Sequence, residues 1–116
     1  YADASFPAVM SNSIIHHIPT PVDCVAEMVR VCQPGGTLFV RDLLRPGDAA
    51  DVERIVRTYA GAATAHQQKM FADSLHAALT LDEVREIVQQ FGFAVDSVQQ
   101  TSDRHWTWSA RRALSP

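Results

Sequence analysis

The sequence predicts an α/β fold, a small sheet with two parallel strands and a C-terminal antiparallel hairpin, flanked by helices. Three stretches carry that expectation. Glu27 to Asp42 reads as an amphipathic helix that stops, turns and becomes a strand. Thr80 to Val98 repeats the same helix-to-strand order. Thr101-Ser102-Asp103 then separates two extended runs that lie close enough in sequence to form a hairpin.

The first stretch is the sharpest. Pro34 cannot donate an N–H and pushes Gln33 out of helical geometry, while Gly35 and Gly36 supply the backbone freedom that a helix end and a Pro-Gly turn require. The strand that follows, expected near 36–43, opens on Thr37-Leu38-Phe39-Val40, apolar without polar alternation, as in a strand covered on both faces. Upstream, Thr20 as N-cap, Pro21 in the first turn and Asp23 as a first-turn acid set a helix running from about Val22 to Val31. Its apolar positions Val22, Val25, Ala26, Met28, Val29 and Cys32 repeat at helical spacing. Cys24 and Cys32, eight apart on that expected helix, are separated by roughly 12 Å of rise, beyond disulfide reach, and read as reduced core residues.

Before this helix, 6–12 reads as a short buried strand that ends in the small polar residues Ser11, Asn12 and Ser13. After the second strand, Arg45-Pro46-Gly47-Asp48 forms a turn, with Asp48 capping a helix whose inner face is Val52, Ile55, Val56 and Tyr59. Gly61 to Leu79 predicts helical pieces without clear ends. Thr80-Leu81-Asp82-Glu83 is a capping box, and Val84, Ile87, Val88 and Phe91 mark the helix it opens. Gly92 closes that helix in the left-handed region, strand three follows near 93–99, and strand four near 105–111 alternates large and small residues. Trp106 and Trp108 share one face of strand four as core or interface anchors. Tyr1 to Ser5 and Leu114 to Pro116 are expected to fray.

Composition narrows the function. The 116 residues, 47% of them apolar, suit one domain, and a net charge of −3 without any Lys/Arg run gives no footprint for nucleic acid or an anionic membrane. No apolar run is long enough to span a bilayer and the first residues lack a signal peptide's basic start, so a cytoplasmic protein is expected.

Taken in order, the strand ending Ser11-Asn12-Ser13, then His16-His17-Ile18-Pro19, Glu27-Met28-Val29-Arg30-Val31 and Pro34-Gly35-Gly36-Thr37-Leu38 resemble the C-terminal half of a class I S-adenosylmethionine-dependent methyltransferase of the type 11 kind, over roughly Phe6 to Arg111. The resemblance implies a partial Rossmann-like sheet in which these strands are the family's fourth to seventh, with the last inserted antiparallel beside the second. It implies methyl transfer to a small molecule with S-adenosylmethionine as cofactor. That family grips the cofactor with a G-x-G loop after its first strand and an acid ending its second. Both are missing here, and Gly35-Gly36 sits in a helix-to-strand turn instead. Residues 1–116 are therefore expected to be a single partial domain, inactive alone and binding little or no cofactor.

Candidate site residues follow from strand ends, where open α/β sheets line their ligand crevice. Ser11, Asn12 and Ser13 are candidate cofactor contacts, or simply turn formers. Asp42, ending the second strand on the same edge as Asn12, either positions a substrate, acts as a base, or pairs with Arg41, Arg45 or Arg30. His16 and His17 are weak catalytic candidates; adjacent histidines point apart, so no metal site is expected. Asp73-Ser74-Leu75-His76 and Ser102-Asp103-Arg104-His105 gather hydrolase residue types, but no G-x-S-x-G elbow accompanies them. Half a sheet would leave the strand at Ala8 to Asn12 as an apolar edge, so the expected partners are a second copy or a complementing N-terminal segment. The competing function is a non-catalytic self-associating or partner-binding module derived from such an enzyme.

Overall fold

The computed structural model describes every residue except 14, 16, 17, 115 and 116. The elements run β1 (Phe6–Asn12), α1 (Pro21–Val31), β2 (Cys32–Leu43), α2 (Ala49–Ala60), α3 (Ala65–Ala77), α4 (Leu81–Gln90), a 3-10 turn (Val95–Ser97), β3 (Val98–Ser102) and β4 (His105–Arg111). The sheet order is β1-β2-β4-β3. β1 and β2 are parallel, and β4 is antiparallel to both of its neighbours. This is the expected α/β architecture, with the last strand inserted beside the second.

The helix-to-strand junction is more compressed than the sequence suggests. β2 starts at Cys32 and not near 36, so Cys32 belongs to a strand and not to the preceding helix. Pairing with β1 begins at Phe6↔Cys32 and then jumps to Ala8↔Thr37, and the surplus residues of β2 bulge out as Pro34-Gly35-Gly36. Gly35 has a φ of 78°, in the left-handed region. A Cβ on Gly36 would lie 2.8 Å from Cys32 Sγ and from the Gln33 carbonyl oxygen, so glycine is required there by close approach. Thr20 precedes α1 without a side-chain capping bond, contrary to its expected role; Pro21 opens the helix. Cys24, half-buried, and Cys32, buried, are both free thiols, and burial raises the pKa of each.

One sheet face carries the main core. Register places Leu38, Val40 and Asp42 of β2 beside Ala110, Trp108 and Trp106 of β4. Val25 and Met28 of α1 and Val84, Ile87 and Val88 of α4 close over them. Trp106 and Trp108 are fully buried, with Phe93 set edge-on to Trp108 at 5.1 Å, so they anchor the core. The Thr80–Glu83 capping box forms as read, and Gly92 ends α4 with φ 87°.

Strand three departs from the reading. The Ser97 N–H and hydroxyl both bond to the Ala94 carbonyl oxygen, turning 95–97 into a 3-10 turn, so β3 begins only at Val98 and runs to Ser102. Gly61 to Leu79, expected as unbounded pieces, resolves into α3, opened by a second capping box between Thr64 and Gln67. α2 and α3 pack on each other around Val52, Ile55, Val56 and Leu75, a second core that Leu43 joins from the sheet. The result is an elongated molecule of 49 × 26 × 20 Å. Tyr59 is 46% exposed and so lies outside this core; its hydroxyl donates to Asp103 at 2.8 Å and its ring lies under the Arg104 guanidinium. Val22 is likewise exposed.

β1 is not a buried strand in this chain. It is the sheet's edge, its residues exposed or half-buried, with Met10 72% exposed. Met10 sits in register with Phe39 on the face away from the main core.

Candidate functional site

Because β1 and β2 are parallel, their C-terminal ends reach the same edge of the sheet, where Asn12 stands beside Arg41. Ser11 is half-buried, while Asn12 and Ser13 are exposed. Ser13 takes a φ of 60°, uncommon for a non-glycine residue, and bends the chain away from the strand. Its N–H donates to the Arg41 carbonyl oxygen at 2.9 Å and its hydroxyl to Asn12 Oδ1 at 3.2 Å. Met10, Ser11, Asn12, Phe39 and Arg41 line a shallow concavity of about 280 Å³. The three small polar residues thus form one strand-end cluster, as their composition suggests.

Asp42 is 1% exposed at the neighbouring strand end. Its Oδ2 accepts from the Ile15 N–H at 2.6 Å and its Oδ1 from the Leu43 N–H at 2.7 Å. The carboxylate therefore clamps the loop after β1 onto the end of β2. The three arginines named as its possible partners make other contacts. Arg30 pairs with Glu27 and Asp3, Arg45 pairs with Glu83, and Arg41 approaches the ring of His105. His16 and His17 lie outside the described residues.

His105, which the sequence places at the start of strand four and among hydrolase residue types, stands at this edge, opposite Leu43 on β4 and almost fully buried. Its Nδ1 lies 2.8 Å from Ser102 Oγ and 3.3 Å from Arg41 Nη2. Burial first, then the Arg41 and Arg104 charges, lower its pKa from the ordinary 6.5, so the imidazole is neutral at neutral pH. The readable signal was its place at the start of the alternating strand, one residue before Trp106. No hydrolase triad forms here, since Asp103 faces Tyr59 and Arg104. In the other set Asp73 pairs with Lys69.

A larger cleft of about 560 Å³ opens beyond β2, between α2, the start of α4 and the hairpin tip. Among the described residues no three His, Cys, Asp or Glu side chains gather as metal ligands, and no helix is long and apolar enough to cross a membrane. The strand-end hydroxyls and amide can meet a polar cofactor group. Gly35 and Gly36, inside the β2 bulge, do not form a strand-to-helix phosphate or carboxylate cradle.

Residues 1–40 match the family described as "Methyltransferase domain". Over 115 residues the chain is 28% identical to 27-O-demethylrifamycin SV methyltransferase of Amycolatopsis mediterranei (strain S699), covering 97% of this chain and 39% of that protein. Among solved structures, an arsenic(III) S-adenosylmethionine methyltransferase from Chlamydomonas reinhardtii superposes with a TM-score of 0.56 at 20% identity, covering 98% of this chain and 39% of its own. The plantazolicin methyltransferase BpumL superposes with a TM-score of 0.61 at 9% identity, covering 92% of this chain and 53% of its own. The chain thus spans about two fifths of the rifamycin relative's length. The family match and the curated relative support a class I methyltransferase domain, and the superpositions show a shared α/β fold.

Proposed function

We propose that this chain serves S-adenosylmethionine-dependent methyl transfer to a small molecule, and supplies only part of the cofactor site. The observation that supports it is the paired tips of β1 and β2, which set Ser11, Asn12 and Ser13 beside a clamped Asp42 at one sheet edge. Methyl transfer forms a bond from an acceptor lone pair to carbon while the carbon–sulfur bond breaks, leaving a neutral thioether. Such a displacement depends mainly on alignment of attacking atom and methyl group, so the chain's task is to position. Asp42 does this by holding the loop after β1. Ser11, Asn12 and Ser13 offer hydroxyl and amide contacts to the cofactor.

A glycine-lined strand-to-helix cradle is not formed by Gly35 and Gly36, so the 116 residues alone should bind S-adenosylmethionine weakly or not at all. A complementing strand-bearing segment laid along β1 would complete the site. Isothermal titration with S-adenosylmethionine tests this; micromolar affinity of the chain alone would overturn the half-site reading. The setting proposed is the cytoplasm, where Cys24 and Cys32 remain thiols.

A second reading, a non-catalytic module that pairs with its own copy, is favoured by one feature: the β1 edge with Met10 exposed. Sedimentation at micromolar concentration distinguishes the two. A dimer that a Met10→Lys change returns to monomer supports the module, and a strictly monomeric species argues against it.

A further inference from the structure

Most arginines of this chain are fixed by carboxylates. Arg30 pairs with Glu27 and Asp3, Arg57 with Glu53, and Arg104 with Asp103. The same holds in the 560 Å³ cleft beside the α2–α3 excursion, whose two limbs meet in a parallel bridge between Leu44 and Leu79. There Arg45 pairs with Glu83 and Arg54 with Asp51 at 3.6 Å. Arg85 and Arg112 instead close on backbone carbonyl oxygens. Arg41 follows neither pattern. Among the described residues it has no carboxylate partner, and its guanidinium is held through Nη2 on the ring of His105 at 3.3 Å.

The atoms around that ring decide where its proton sits. Ser102 Oγ already accepts from the Arg104 N–H at 3.2 Å, so its own hydrogen goes to His105 Nδ1 at 2.8 Å, and a guanidinium can only donate. Nδ1 is therefore bare and Nε2 carries the proton. Burial, the largest influence, and the Arg41 and Arg104 charges keep the ring neutral against the pull of Asp42 and Asp103. A neutral acceptor orients the guanidinium and leaves its charge intact. Held this way, Arg41 walls the strand-end concavity with Ser11, Asn12, Met10 and Phe39. Asn12 gives its Oδ1 to the Ser13 hydroxyl, which leaves its amide N–H groups to donate beside the Ser11 hydroxyl. No carboxylate lines this concavity, and Met10 and Phe39 give it an apolar side. Donors set around an oriented, uncompensated guanidinium select a planar anion with two oxygens.

We propose that the concavity at the tips of β1 and β2 takes the carboxylate of a small-molecule ligand, with Arg41 as its binding group and His105, backed by Ser102, as the residue that positions Arg41. That these strand ends form the ligand edge rests on the methyltransferase reading above; the carboxylate chemistry does not. The carboxylate belongs either to the amino-acid end of the cofactor or to the methyl acceptor. The test is a nuclear magnetic resonance titration of the 116-residue chain, at neutral pH and constant ionic strength, with phenylacetate, its cationic counterpart phenethylamine, and L-methionine. A carboxylate probe should give saturable shifts at Ser11, Asn12, Phe39 and Arg41, with phenethylamine several-fold weaker. Tighter binding of L-methionine assigns the carboxylate to the cofactor, and tighter binding of phenylacetate assigns it to the acceptor. Arg41→Gln should weaken the carboxylate probe by about fivefold and erase its advantage over phenethylamine. His105→Asn, whose side-chain oxygen can replace Nδ1 as acceptor, should keep the affinity that His105→Leu loses. Long-range proton–nitrogen spectra of the parent chain require no variant to fold and should show the His105 proton on Nε2. A proton on Nδ1, equal response to phenethylamine, indifference to Arg41→Gln, equal binding by the two His105 variants, shifts centred on the 560 Å³ cleft, or no saturable shift would each overturn it. No probe is the whole cofactor, so failure here leaves the methyl-transfer reading standing, and micromolar cofactor binding by the chain alone would overturn only the half-site argument.

Discussion

Replacing Asp42 by asparagine isolates the clamp from the shape of the site. The carboxylate accepts from two backbone N–H groups, Ile15 at 2.6 Å and Leu43 at 2.7 Å, in a position 1% exposed. Asparagine is nearly isosteric, but its single carbonyl oxygen can keep only one of these bonds, and its NH2 group faces the other donor. Losing a charged hydrogen bond and stranding a buried N–H together cost about 3 kcal/mol. For a domain of this size that corresponds to a fall in thermal midpoint of about 12 °C. Denaturant unfolding followed by Trp106 and Trp108 fluorescence measures the first quantity, and hydrogen exchange at the Ile15 amide shows whether the loop is released. An Asp42→Asn protein within about 0.5 kcal/mol of the parent, with Ile15 exchange unaltered, would show that the carboxylate does not hold the loop.

Two further outcomes follow from the geometry. Gly36→Ala places a Cβ against Cys32 Sγ and two carbonyl oxygens and should cost about 1–3 kcal/mol; Gly92→Ala, with open space but φ 87°, should cost about 1 kcal/mol from backbone strain alone, and chemical denaturation ranks the two. The lowered pKa of His105 means the unfolded chain binds the extra proton first, so stability is full above about 6.5 and is lost as pH falls through the folded value. His105→Gln should flatten that part of the stability profile, and an unchanged slope would show that another group carries it.

The fold was legible where local chemistry and packing agree. The Thr80–Glu83 box and Gly92 each punctuate the chain by backbone rules that hold in any context, and β1 and β4 fell within their expected bounds, whereas Pro34-Gly35-Gly36 marks a bulge inside β2 and not the helix end. α3 was blurred because only Leu75 among its residues is buried, so an alanine-rich stretch shows little contrast between faces. Its Thr64-x-x-Gln67 box was nonetheless there to be read. β3 slipped because Phe93-Ala94-Val95 is apolar enough to look extended, while the Ser97 hydroxyl favours a turn. At the site, the place of Ser11 to Ser13 and Asp42 on one edge came from strand ends alone. What Asp42 binds did not, because its partner Ile15 is brought in by parallel pairing of segments twenty-seven residues apart. The lowered pKa of His105 comes first from its burial and then from the Arg41 and Arg104 charges, and of these only Arg104 is adjacent in sequence.

The Leu44–Leu79 bridge also bears on how such a chain can change. Since the excursion leaves and re-enters at one point, cutting it back to a tight connection or grafting in a different one alters loop-closure entropy only slightly. The sheet body, with its own core, would keep its strand register while the helical pair, packed on a separate core, is shortened or replaced.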